Sequence, residues 1–391
     1  MTPAARLQAA SEILDEVIAA TRDDGPPADS IVTRYFKTRR YAGSKDRRAV
    51  RELVFRAVRR SAERPASGRS AMLGLVDDDP ALEELLGLPR GPEPRAPGEQ
   101  GTSPGLIPAW LERELDPLVS PDEWPALLVR APLDLRVNAA RTDREAMLAV
   151  FPDAESTPLS PWGLRLPSDA RIDDRPEFAH GLVEVQDEGS QLIAFACGLK
   201  NGETAIDLCA GAGGKSLALA AAAPGAQLLA TDSNRMRLSR LAPRAQRSGA
   251  TIETRLLNPR NELTALEDWI DRADLVLVDA PCSGSGTWRR NPEGRWRLDP
   301  ARLDRLTALQ QHLLDLAAQL VRPGGRIVYA TCSLLSREGA GAITAFLERR
   351  SSWMKEELPM VAGRTTGAGR LLTPGHDGTD GFFIARLGRP C

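Results

Sequence analysis

Asp207-Leu-Cys-Ala-Gly-Ala-Gly-Gly-Lys215-Ser216 is a glycine-rich turn between two apolar stretches of different period. Residues 204–208 read as a buried strand, and a helix rich in Leu and Ala starts at Lys215. The alternation continues outward. A helix at 186–198 precedes the turn. Strands at 228–232, 275–279, 326–331 and 382–387 are separated by helices at 235–247, 301–321 and 337–350. Such alternation predicts a doubly wound α/β sheet, which binds ligands beyond the carboxyl ends of its strands. Chemistry is therefore expected just after Leu208, Thr231, Val278 and Ala330.

Three ligand types compete for the turn. A P-loop requires glycine five places before the Gly of Gly-Lys-Ser, and that place holds Cys209. A dinucleotide fingerprint requires a third glycine where Ser216 stands. S-adenosylmethionine carries no phosphate; it needs a tight glycine turn under its amino-acid part and an acid for its ribose. Asp232, ending the next strand, can serve that ribose, as it could serve the ribose of NAD, or it can cap the helix that follows. A strand-end acid after a glycine turn favours ligand binding.

Two cysteines fall beyond two further strand ends, in Asp279-Ala-Pro-Cys282-Ser-Gly-Ser-Gly and Tyr329-Ala-Thr-Cys332-Ser333. A lone free cysteine is ordinarily a small buried hydrophobe, the reading given to Cys197 and Cys391. Two at one ligand-binding edge, one of them beside Asp279, point to chemistry.

DLCAGAGGK, LVLVDAPCSGSGTWRRNPEGRW and IVYATCSLL resemble motifs I, IV and VI of RNA 5-methylcytosine methyltransferases of the Sun/Fmu and NSUN family. VQDEGS at 185–190 and TDGFFI at 379–384 resemble two flanking motifs. The resemblance covers roughly residues 106–391 and implies a Rossmann-like, class I S-adenosylmethionine-dependent methyltransferase sheet at 176–391. PLDLRVN at 132–138 resembles the family's small α+β accessory domain, placed at 106–175. The helical segment 1–88 resembles, more weakly, a NusB-like RNA-binding domain. Residues 89–105 hold five Pro and four Gly and are expected to be a linker.

Cytosine carbon 5 is a poor nucleophile until a thiolate adds to carbon 6, which is covalent catalysis. The resemblance implies Cys332 as that nucleophile, Cys282 in product release and Asp279 on the cytosine edge. Lys215 would sit in the cofactor and base region, where a cation can favour a thiolate. Cofactor contacts are expected from Cys209, Ala210, Gly211, Ala212, Gly213, Gly214, Lys215, Asp232, Asn258 and Asp279. Two positions depart from the family pattern. Asn258 stands where an Asp is usual near the adenine, and Glu338-Gly339 stands where Glu-Asn is usual.

For RNA binding the candidates are Arg47 and Arg48, in a stretch (34–60) with 11 Lys/Arg and 2 acids, and Arg289 and Arg290. Trp288, Arg295, Trp296 and Arg297 read either as a surface for unstacked bases or, for Trp296, as core. The expected activity is RNA cytosine-C5 methylation, with 16S ribosomal RNA the leading substrate. Alternatives are a transfer RNA substrate, a non-catalytic ribosome-assembly factor, or a nucleotide-driven enzyme using Lys215 and Asp279.

Composition sets outer limits. The chain has 391 residues, 42% hydrophobic and 27% charged, enough for two or three domains and too apolar for general disorder. No segment reads as a membrane span or a signal peptide. Five widely spaced cysteines without a CxxC pair, and three histidines, argue against a metal site and a disulfide framework. A cytoplasmic monomer is expected. The net charge of −2 shows that any nucleic-acid affinity must be local.

Overall fold

The computed structural model describes residues 1–23 and 25–391. Two compact units emerge. One comprises Met1–Leu115, Trp124–Val129 and Thr287–Pro300; the other comprises Asp116–Glu123, Arg130–Gly286 and Ala301–Cys391.

The first unit is helical: α1 (Pro3–Arg22), α2 (Ala28–Lys37), α3 (Ser44–Arg60) and α4 (Gly68–Asp78). It fits the all-α domain expected at the N-terminal end. Thr2 caps α1 by accepting from Ala5 N, with Pro3 in the first turn where its missing N–H costs nothing. Leu7, Leu14, Ile31, Val54 and Val58 meet in the core. The expected linker is folded down on this bundle. Arg69 pairs with Glu99, Thr102 N donates to Ser70 O and Gly105 N to Arg60 O. Backbone that cannot pair within an element has found partners on the helices instead. Residues 109–114 form successive turns rather than a helix. Pro108 and Pro117 bound too few residues to repay helix nucleation.

The second unit holds two sheets. The smaller uses β1 (Leu133–Val137), β2 (Glu155–Ser156), β3 (Gly163–Leu166) and β4 (Val183–Val185), with α5 (Arg144–Val150) and α6 (Pro176–Ala179) between strands. Its order is β2-β3-β1-β4, antiparallel throughout. Strand β4 lies beyond the boundary drawn at residue 175, and residues 106–115 belong with the helices.

The larger sheet follows: α7 (Glu188–Cys197), β5 (Thr204–Asp207), α8 (Gly214–Ala222), β6 (Gln227–Asp232), α9 (Arg235–Leu238), α10 (Leu241–Ser248), β7 (Glu253–Leu256), β8 (Ala273–Asp279), α11 (Pro300–Leu320), β9 (Val321–Thr331), α12 (Ala340–Arg349), β10 (Met354–Glu356), β11 (Arg364–Thr366), β12 (Gly369–Leu372), α13 (Pro374–Asp377) and β13 (Phe382–Gly388). Its order is β11-β12-β13-β9-β8-β5-β6-β7, with β10 also on β13. Strands β9, β8, β5, β6 and β7 are parallel, and β13 runs antiparallel to β9. From β5 the chain winds out through β6 and β7, then returns to β8 on the other side. The strand order therefore reverses between β5 and β8, the place where open α/β sheets bind ligands.

Candidate active site

The glycine turn leaves β5 at the reversal point. Gly211 (φ 57°) and Gly213 (φ 83°) are left-handed, and a Cβ on Gly213 would stand 2.1 Å from Leu241 Cδ1. Helix α8 starts at Gly214 with no capping side chain, so its first N–H groups face outward as donors. Asp232 is 7% exposed; its carboxylate accepts from Gly211 N at 2.8 Å and Asn234 N at 2.6 Å, which aims it along the turn. Asp207 is buried. One of its oxygens accepts from Ser216 Oγ at 2.6 Å and the other has no partner among the described residues. Burial, only partly offset by that hydroxyl, pushes its carboxyl up to about 7. Burial also raises the Cys209 thiol well above its usual range, with Asp207, Asp279 and Asp232 adding to the effect. Asn258 lies exposed on the loop after β7.

Beyond the neighbouring strands β8 and β9, Cys282 Sγ and Cys332 Sγ are 3.3 Å apart, both half-buried. The contact with Cys332, then burial, then the charge of Glu338 raise the Cys282 thiol well above its usual range. Either sulfur can donate its S–H to the other across this contact. Lys215 Nζ donates to Asp279 Oδ2 at 2.6 Å and stands 5.9 Å from the centre of the Phe382 ring. Burial works to lower the Lys215 ammonium, but Asp279, with Cys332 and Asp207 behind it, outweighs burial and holds it above its ordinary value. Four groups from three loops (Lys215, Asp279, Cys282 and Cys332) are therefore gathered as the sequence predicts.

One further residue organises them, and sequence reading left it without a role. Glu338, fully buried, accepts from Ser283 N at 2.9 and 3.1 Å, from Ser333 Oγ at 2.6 Å and from Gln310 Nε2 at 2.9 Å. One carboxylate thereby ties the residue after Cys282 to the residue after Cys332. Gly286 N donates to Cys332 O and accepts through its own carbonyl from Gly381 N at 2.7 Å, fastening β13 to the same pair. The departure at Gly339 has a steric counterpart: a Cβ there would lie 2.9 Å from Phe383 Cγ.

The arginine and tryptophan run is placed differently from a base-stacking surface. Trp288 and Trp296 are 1% and 4% exposed, Arg295 1% and Arg289 7%. Arg295 donates to the carbonyls of Val58 and Leu106, and Trp296 Nε1 to Ser61 O at 2.9 Å. These side chains are structural members of the helical unit. Arg290 is half-buried; Arg47 and Arg48 are exposed on α3.

Residues 194–388 match the family model described as 16S rRNA methyltransferase RsmB/F. Ribosomal RNA small subunit methyltransferase B of Salmonella arizonae is 35% identical over 292 residues, covering 72% of this chain and 66% of that protein. The same-named protein of Xanthomonas campestris is 36% identical over 289 residues, with the same coverage. The chain belongs to the RsmB/F methyltransferase family. It spans just under two thirds of the length of these relatives. Among solved structures, a methyltransferase homolog protein from Pyrococcus horikoshii is 25% identical, with a TM-score of 0.61 over 71% of this chain and 92% of that one. NSun6 from P. horikoshii, solved with SFG, is 18% identical, with a TM-score of 0.64 over 73% and 98%. The last likeness speaks to the fold.

A family cofactor of the S-adenosylmethionine type fits the residues present. The uncapped N-terminus of α8, the left-handed glycines and the buried, half-partnered Asp207 form a cradle with donors and a polar floor. Asp232 offers a carboxylate at its far end. Among the described residues no helix is long and apolar enough to cross a membrane.

Proposed function

We propose that this protein is an S-adenosylmethionine-dependent RNA cytosine-C5 methyltransferase acting on small-subunit ribosomal RNA through a covalent adduct at Cys332. The observation that carries the reading is the pair of thiols 3.3 Å apart beyond two adjacent strands, next to the Lys215–Asp279 pair. The names of the RsmB/F relatives support ribosomal RNA as the substrate.

When bound, the cofactor supplies an electrophilic methyl group. Cys332 Sγ adds to carbon 6 of cytosine and makes carbon 5 electron-rich. Asp279 meets the base edge, and the Lys215 ammonium that orients it offsets the negative charge that develops at N3. At release, Cys282 passes its S–H proton to the departing Cys332 sulfur and takes the proton leaving carbon 5; the proton lost by carbon 5 thus ends on Cys332, which returns it to solvent before the thiolate attacks again. Its elevated thiol supports this role, because a thiol that holds its proton is available to donate it.

The test compares Cys282→Ala, Cys332→Ala and the unaltered protein on cellular RNA with cofactor, on a denaturing gel. Cys282→Ala should accumulate a covalent protein–RNA band, and Cys332→Ala should give neither band nor methylation. The reverse pattern would make Cys282 the nucleophile. Absence of methyl transfer to any RNA by the unaltered protein would overturn the reading.

A further inference from the structure

Cys282 is held on both sides of its α-carbon. The peptide group before it carries Pro281 O, which accepts from Gln310 Nε2 at 2.9 Å. The peptide group after it carries Ser283 N, which donates to the Glu338 carboxylate at 2.9 and 3.1 Å. The two holds are themselves joined, because Gln310 Nε2 also donates to Glu338 Oε1 at 2.9 Å. Peptide groups are planar, so pinning the one before and the one after fixes both backbone torsions of Cys282. The direction of its side chain follows. Just upstream, Ala280 N donates to Ala330 O at 2.9 Å, which anchors the loop to β9 before it reaches the thiol.

Gln310 does this at a local cost. It is fully buried on α11, and its amide nitrogen serves two acceptors, Pro281 O and Glu338 Oε1. Its own Oε1 is buried with no partner among the described residues. Turning the amide over would aim that oxygen at a carbonyl and a carboxylate, so the orientation is set. A buried acceptor without a donor is unfavourable, and a hydrocarbon side chain at this place in α11 would avoid the penalty. Local rules broken in this way mark a task beyond packing the helix. The thiol on which Gln310 bears is the one 3.3 Å from Cys332 Sγ.

We infer that Gln310 is a positioning residue for product release, holding the Pro281–Cys282 peptide so that the Cys282 thiol stays against Cys332. The inference rests on the methyltransferase reading, and its test separates the two. As the bond between carbon 6 and sulfur breaks, Cys282 gives its proton to the Cys332 sulfur and takes the one leaving carbon 5. That transfer needs Cys282 Sγ within hydrogen-bond reach of both. Addition of Cys332 and methyl transfer come earlier and do not use Cys282. Loss of Gln310 therefore slows the last step selectively, and the covalent protein–RNA intermediate builds up.

Gln310→Met replaces the amide with an apolar chain of similar length, and Gln310→Asn keeps the amide but shortens its reach. Both are compared with unaltered protein on cellular RNA and S-adenosylmethionine, in single-turnover and steady-state assays and on a denaturing gel. Methyl groups are counted after protease digestion, so that those on trapped RNA are included. Gln310→Met should keep single-turnover methyl transfer within about threefold while steady-state turnover falls on the order of ten- to a hundredfold. A covalent protein–RNA band should accompany the split. Gln310→Asn should show the same split at smaller size, and it keeps the test decisive if the methionine variant fails to fold. An equal fall of both rates without a band, as a merely structural role would give, overturns the inference. So does unaltered turnover in both variants. Absence of methyl transfer by the unaltered protein instead overturns the methyltransferase reading itself, and this inference with it.

Discussion

Glu338→Gln keeps the size of the clamp and changes its chemistry. All three groups around that carboxylate (Ser283 N, Ser333 Oγ and Gln310 Nε2) donate to it. An amide must turn an NH2 toward one of these donors, and a mismatched buried polar pair costs about 1–3 kcal/mol. The Cys282 and Cys332 loops should lose their register, lowering kcat about ten- to a hundredfold with cofactor affinity unchanged. A kcat within twofold of the unaltered enzyme would show that the clamp is dispensable. Asp207 makes a separate prediction, about pH. Its folded value of about 7 lies above the ordinary 3.8, so between those values the folded protein binds the proton that the unfolded chain releases. Stability should therefore fall as pH rises from about 4 to 7, by up to about 1.4 kcal/mol per pH unit. Thermal unfolding of Asp207→Asn from pH 5 to 8 should lack this contribution; an equally steep decline in both proteins would rule Asp207 out as its source.

At the scale of elements, loops after β8 and β9 and the approach to β13 are held together by backbone, at Gly286 above all. A Cβ on Gly286 would fall 2.0 Å from Gly381 O, a contact that only movement of backbone relieves. Gly286→Ala should cost about 1–3 kcal/mol by overpacking, and abolish most methyl transfer by separating the thiols. Chemical denaturation together with single-turnover rates checks both, and full activity at reduced stability would mean that the loops hold their register without this contact. The strands and helices around the site were readable because each carries its own period. Predicted and observed limits of β5, β6 and α7 differ by a residue or two. The helix expected at 235–247 divides into α9 and α10, since Pro243 sits most comfortably in a first turn and so makes Leu241 a new beginning. The thiol pair was legible because strand ends of one sheet must converge. Glu338 was not, because its role consists of hydrogen bonds to residues 28 and 55 positions away. The burial of Trp288, Arg289 and Arg295 was hidden for a similar reason: a run of cationic and aromatic residues reads alike whether it faces water or a helix bundle.

At the scale of the whole molecule, the chain leaves the methyltransferase unit after Gly286, contributes Thr287–Pro300 to the helical unit and then returns. The segment that follows Cys282 thus contributes to both units, and within it Arg289 and Arg295 are buried while Arg290 is half-buried. For the proposed RNA substrate, contacts must be local, since a chain with a net charge of −2 does not attract a polyanion as a whole. Helix α3 offers Arg47 and Arg48, both exposed, in a region carrying 11 cationic side chains. If each neutralises one phosphate, the double variant Arg47→Gln/Arg48→Gln should weaken RNA binding at low salt and flatten its salt dependence. Each lost contact removes about 0.7–0.9 from the slope of log affinity against log salt, so the pair should remove about 1.5. Filter binding across a potassium chloride series reads this directly. A parallel downward shift with unchanged slope would mean that the arginines shape the helix rather than touch phosphate. No shift at all would move the RNA surface off the helical unit altogether.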